Sequence, residues 1–179
     1  MDHRRCEILS VSDIIDIRKK VLENVALTTR WLRSLDERPM ELFQLMRFQK
    51  VGHDPLTGTP LNIVEQLNQT FTILTTLKAA KLLWELHPDS DGFRLALGNC
   101  SGREIESIEP NFVAAGVFSA THPNSNRQLQ KEISRMAGST ATHRYVFFSS
   151  PSHPEGRLSQ LEAPETGVQV FSIGLDWRI

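Results

Sequence analysis

Phe112-Val-Ala-Ala-Gly-Val-Phe-Ser-Ala120 carries no charged side chain, and each of its positions is apolar or small. A run of that kind reads as a central strand covered on both faces. On its N-terminal side, Phe93, Leu95 and Leu97 alternate with Arg94 and Ala96, and Ile105 stands between Glu104 and Glu106 in Arg103 to Ile108. Both segments fit half-buried strands. On its C-terminal side, Asn124 or Ser125 can cap a helix that runs through Met136 and closes at Gly138. Tyr145 to Phe148 then reads as a short apolar strand. Pro151 to Gly167 is rich in loop residues, with a helical turn near Leu158 to Leu161, and Val168 to Ile173 reads as a last strand.

Ahead of these strands, Thr59-Pro60 supplies an N-cap with proline in the first turn, and a long helix is expected from there to about Leu86. Its buried face is expected at Ile63, Leu67, Phe71, Leu74, Leu77 and Trp84, with Glu65, Gln69, Thr72 and Thr76 as a second, polar stripe. Earlier still, Ile14, Ile17, Val21, Val25, Leu32 and Leu35 recur at helical spacing behind a Ser10 or Ser12 cap. Pro39 opens a short apolar helix containing Leu42, Phe43, Leu45, Met46 and Phe48, and Val51 to Thr59 is dense in turn formers. Residues 1–50 therefore read as an N-terminal helical extension and residues 51–179 as an α/β core.

The chain has 179 residues, enough for a single sizeable core, with 20 Lys plus Arg against 21 Asp plus Glu. That balance gives no global reason to seek a polyanion, so any such contact must come from a local patch. No apolar run approaches the ~18 residues of a membrane span, and no membrane partner is expected. The N-terminal residues lead into an amphipathic segment with no apolar h-region, so no secretory signal is expected. Cys6 and Cys100 lack any metal-type spacing and read as free thiols of a reducing compartment, which points to the cytoplasm.

The order helix, three strands, helix, strand between Leu61 and Phe148 resembles the αβββαβ core of the PD-(D/E)XK, or restriction-endonuclease-like, superfamily. The resemblance implies an α/β mixed-sheet core and a metal-dependent nuclease site, with an acidic ligand on the second strand and Glu-x-Lys on the third. Those groups hold Mg²⁺, which activates water and stabilises charge at the scissile phosphate. On this alignment Glu104, in Gly102-Arg-Glu-Ile-Glu106, stands at the first metal ligand, and Glu65 stands where an extra helix carboxylate belongs. Solvated strand and first-turn positions are the alternative reading of Glu104, Glu106 and Glu65. At the Glu-x-Lys position this chain has Gly116-Val117-Phe118, which supplies neither carboxylate nor ammonium. Lys131, on the following helix, is the candidate for a migrated lysine. The small residues Ala114 to Gly116 otherwise read as room for a helix packed closely on the sheet.

Arg127, Lys131 and Arg135 are spaced i, i+4, i+8 and would line one helix face, either as a phosphate-binding stripe or as a solvated face next to Glu132. His53-Asp54 and His122 read as loop polar residues. Ser119, Ser149 and Ser150 lack a Gly-x-Ser-x-Gly context, and Gly98 to Gly102 lacks the lysine of a phosphate loop. The sequence thus leads to a nuclease-like domain with a degenerate metal site that binds nucleic acid without efficient cleavage and needs no cofactor. Two alternatives stand beside it. One is a protein-interaction or homodimerisation module using the N-terminal helices; the other is an active, Mg²⁺-dependent nuclease with migrated ligands.

Overall fold

The computed structural model describes residues 4–36, 38–98 and 103–175. In chain order, β1 (Arg5–Ile8) leads into α1 (Val11–Arg33) and α2 (Pro39–Phe48). A small hairpin of β2 (Gly52–His53) and β3 (Pro60–Leu61) precedes α3 (Ile63–Leu86). There follow β4 (Phe93–Ala96), β5 (Ile105–Ser107), β6 (Val113–Ser119), α4 (Gln128–Ala137), β7 (His143–Ser149), β8 (Gly156–Arg157) and β9 (Val168–Ser172). Seven strands make one mixed sheet in the order β1-β4-β5-β6-β7-β9-β8, so the uncharged run lies at its centre as expected. β6, β7 and β9 are parallel, and the remaining neighbours pair antiparallel. Cys100 and most of the turn read at Gly98 to Gly102 lie outside the described residues.

The pleat of the central strands sorts their side chains into two cores. Val113, Ala115 and Val117 of β6, with Tyr145 and Phe147 of β7, meet Ile73, Leu74, Leu77 and Leu83 of α3 on one face. On the other face, Ala114, Phe118, Val146, Phe148, Val168 and Val170 meet Leu129, Ile133 and Met136 of α4. Both faces of β6 are covered, which is why its sequence shows no polar alternation.

The first described residues are not helical. Arg5 to Ile8 pair with Ala96 to Phe93 and give the sheet its edge, so the segment before Ser10 contributes a strand rather than only a helical extension. Ser10 then caps α1. Its hydroxyl accepts from the Asp13 amide at 3.4 Å, and the Asp13 carboxylate accepts from the Ser10 amide at 2.9 Å. α2 buries none of its residues, and Met40, Phe43 and Phe48 are 65, 65 and 77 % exposed. No helix among the described residues is long and apolar enough to cross a membrane.

α3 departs from the sequence reading in its start and in its buried face. Asn62, not Thr59, is the cap, its side-chain oxygen accepting from the Glu65 amide at 2.9 Å, while Pro60 and Leu61 pair with His53 and Gly52. Leu67 and Phe71, expected in the core, are 48 and 41 % exposed, whereas Gln66, Gln69, Thr70, Thr75 and Thr76 are buried. Burial of these polar groups is tolerated because most are bonded. The Thr75 and Thr76 hydroxyls donate to carbonyls one turn back at 2.7 and 2.9 Å. Gln66 Oε1 accepts from the His53 amide at 2.9 Å and from the Thr28 hydroxyl at 2.8 Å, tying the hairpin, α1 and α3 together. Arg4 extends the network by bonding Asp54 and Gln69.

Below the opposite end of α3, His87 closes the helix with its ring against Phe112 (5.2 Å) and His143 (4.6 Å), and its Nε2 lies 2.8 Å from the Tyr145 hydroxyl. Burial, and then the charge of His143, lower the His87 pKa from its ordinary value. The fold therefore favours neutral His87. Its contribution to stability is present above the unfolded value of 6.5 and is lost as pH falls through the lower folded value. Melting temperatures measured from pH 7.5 down to 5 should fall more steeply in the wild type than in His87→Gln. Parallel curves would show that this cluster does not couple to protons.

Candidate functional site

β5 is short, and its register with β6 ends at Ile105 opposite Ala115. One residue earlier, Glu104 still holds β4 through its carbonyl, which accepts from the Ala96 amide at 2.9 Å. Toward β6 its side chain replaces the missing strand partner, with Oε2 accepting from the Val117 amide at 3.3 Å. The Glu104 carboxylate is thereby fixed where β5 stops and the central strand continues beside β7.

α4 approaches this point with its apolar residues Leu129, Ile133 and Met136 buried against the sheet. Glu132 and Arg135 sit on its flank over Gly116. A Cβ at Gly116 would lie 2.7 Å from Glu132 Oε2 and 3.0 Å from Arg135 Nη2. Glycine at this position thus makes room for an ion pair as well as for close helix packing. The Arg135 guanidinium bonds both carboxylates: Nη2 reaches Glu104 and Glu132, and Nε donates to Glu132 Oε2 at 2.8 Å. Gln128 donates to the other Glu132 oxygen at 3.1 Å.

The three side chains are 20, 12 and 33 % exposed for Glu104, Glu132 and Arg135, so the cluster is shielded without being sealed from water. Burial raises the Glu104 pKa above the ordinary carboxylate range; the Arg135 hydrogen bond and charge pull it back, and Glu132 adds to the rise. Burial also works against the charged guanidinium, but its bonds to Glu104 and Glu132 outweigh this and hold Arg135 above its ordinary value. Two anions and one cation, each charge partly neutralised by the next, form a closed set. A hard divalent ion needs several free oxygens, and here the guanidinium occupies the space between the two carboxylates. Among the described residues no group of three or more His, Cys, Asp or Glu side chains could hold a metal ion. The donor set fits an arginine and does not fit Mg²⁺.

The other sequence candidates stand apart from this cluster. Glu65 is exposed in the first turn of α3, and no bond joins it to Glu104. Lys131 is exposed on α4 and is not the group that reaches the carboxylates. Arg127 lies outside the helix: Asn126 and Arg127 have φ of 54° and 57°, so α4 begins at Gln128 and the i, i+4, i+8 stripe does not exist as one helical face. Glu132 is the residue that sequence reasoning passed over. Its signal was its place three residues before Arg135, which sets both on one flank of a helix lying against Gly116.

A cavity of about 730 Å³ lies over the carboxyl ends of β6 and β7, and none of the three clustered charges lines it. Ser119, Ser149, Ser150 and His153 line it together with Asn68 and Thr72 of α3. The Ser150 hydroxyl donates to the Thr121 carbonyl at 2.9 Å and lies 2.7 Å from the Ser152 hydroxyl, which is 2.9 Å from His153 Nδ1. This chain of hydroxyls fastens the loop after β7 to the loop after β6.

No family model, curated protein or solved structure matches this chain. Its site has to be read from its own geometry.

Proposed function

We propose that the chain is a restriction-endonuclease-like domain that has exchanged catalysis for binding, and that it acts as an interaction module through its N-terminal helices. The observation that carries the first half is the Arg135 guanidinium set between Glu104 and Glu132 over Gly116. A fixed cation in that place satisfies both carboxylates, repels a divalent ion and leaves no group to activate water. Support for the second half comes from α2. A ten-residue helix is marginal in water by itself, yet α2 only half-buries Leu42, Leu45 and Met46 and exposes Met40, Phe43 and Phe48. A second copy of the chain, paired through these residues, would cover them.

Incubation with plasmid, linear and single-stranded DNA in Mg²⁺ or Mn²⁺ should give no cleavage. Cleavage abolished by Glu104→Ala would overturn the closed-site reading. The mass in solution should correspond to a dimer at micromolar concentration, and a Met40→Ser, Phe43→Ser, Phe48→Ser variant should be monomeric and still unfold cooperatively, at a melting temperature that no longer depends on protein concentration. Exposed Arg127 and Lys131 favour nucleic acid as a second reading. A monomeric wild type that binds DNA or RNA, with a log–log salt slope reduced by about 2 in Arg127→Ala, Lys131→Ala, would replace the dimer reading by that one.

A further inference from the structure

The seam between α1 and α3 carries two adjoining cavities that share Leu74. One, of about 240 Å³, is lined by Leu22, Val25, Leu32, Ile63 and Leu67 among others, and no charged residue among the described ones lines it. The other, of about 300 Å³, has Ile14, Leu74 and Leu77 in its apolar lining and Arg18, Lys78 and Lys81 as its charges, with no carboxylate lining it among the described residues. The helices build the charged end with one spacing. Val11, Ile14 and Ile15 precede Arg18 on α1 just as Leu74 and Leu77 precede Lys78 and Lys81 on α3, so apolar and cationic groups share a face of each helix. Arg18 and Lys81 are exposed and enter no ion pair among the described residues. Lys78 is held by Glu155 at 2.7 Å and bonds the Gly174 carbonyl.

From this we propose that the α1–α3 seam binds a single-chain anionic amphiphile: a carboxylate or phosphate headgroup at Arg18, Lys78 and Lys81, with its alkyl chain along the uncharged cavity beyond Leu74. An apolar ligand alone would leave Arg18 and Lys81 at its end without an anion. A small anion alone would leave the apolar half of the seam wet. Only a molecule with both parts matches the lining, because apolar contact provides affinity and the charged end fixes orientation. The inference is independent of the ion pair at Gly116 and of the α2 surface.

The test is calorimetric titration of the full chain with dodecanoate below its micellar concentration, alongside dodecanol and butyrate. Dodecanoate should bind with one saturable site, dodecanol about tenfold more weakly, and butyrate not measurably. Arg18→Gln, Lys81→Gln should weaken dodecanoate about tenfold and leave dodecanol unchanged. Glu155→Gln should tighten dodecanoate, because it releases Lys78 from its pair. These are surface substitutions, and unchanged melting temperatures would show that the fold is intact. Equal affinity for dodecanoate and dodecanol, an unaltered constant in the double variant, or binding seen only with anionic lipid vesicles would each overturn the proposal.

Discussion

Val117→Glu is expected to lower stability by about 3 kcal/mol or more, the usual cost of a buried charge without a partner. Val117 is 4 % exposed at the centre of the sheet and faces the core beneath α3. Glu104, already held at the Val117 amide, brings a second negative charge to the same strand position. Since a domain of this kind is stable by only ~5–15 kcal/mol, urea denaturation should begin at markedly lower concentration, and the melting temperature should fall by roughly 10 °C. Leu67→Glu is the informative comparison. The periodicity of α3 assigns Leu67 to the core, but the side chain is 48 % exposed, so a change within about 0.5 kcal/mol is expected. If Leu67→Glu proved as damaging as Val117→Glu, the face assigned to α3 would be wrong.

That comparison also marks how far the sequence could be read. β6 was legible because burial on both faces removes polar residues altogether, a pattern that needs no knowledge of partners. The flanking helices were legible as helices for the same reason: their apolar spacing is local. The buried side of α3 was legible only in part: Ile63, Leu74 and Leu77 are buried as expected, but Gln66, Thr75 and Thr76 are acceptable in a core only once their hydrogen bonds are known. Thr75 and Thr76 bond within the helix, but Gln66 depends on Thr28 and His53, far away in sequence. β1 was hidden for a related reason. Arg5-Cys-Glu-Ile8 is four residues with two charges, and only its pairing with β4 makes it a strand.

The candidate site shows the same division. Glu104 was singled out from the order of the strands, and that Gly116-Val117-Phe118 offers neither carboxylate nor ammonium was visible directly. The ion cluster over Gly116 was not visible, because the i, i+4, i+8 spacing of Arg127, Lys131 and Arg135 assumes an unbroken helix. Two consecutive residues with positive φ remove Arg127 from it. α4 then presents Arg135 to the sheet with Glu132, so a residue counted as part of a basic stripe spends its charge on two carboxylates. Charge spacing along a helix states which residues are neighbours, but not which side of the helix meets the protein.

Arg135→Leu tests that cluster most directly. Removing one partner of a fully buried pair costs about 3–5 kcal/mol, and partial exposure of these side chains reduces the expected loss here to ~1–3 kcal/mol at neutral pH. The pH dependence gives the sign. Burial already holds the Glu104 carboxyl above its ordinary value, and leucine removes the guanidinium that opposed this rise. In the variant, folded Glu104 takes up a proton more readily than unfolded Glu104. The stability linked to that proton is present at low pH and is lost as pH rises through the folded value. The gap between variant and wild type should therefore be widest near pH 7 and narrow on acidification, and Glu104→Gln added to Arg135→Leu should close much of it. Millimolar Mg²⁺ supplies a second readout, since two carboxylates freed of their guanidinium can accept a divalent ion. A melting temperature that rises with Mg²⁺ in Arg135→Leu but not in the wild type would show that Arg135 holds the place of a cation. A variant as stable as the wild type at pH 7 and indifferent to Mg²⁺ would reduce the cluster to a surface ion pair, and the closed-site reading would lose its foundation.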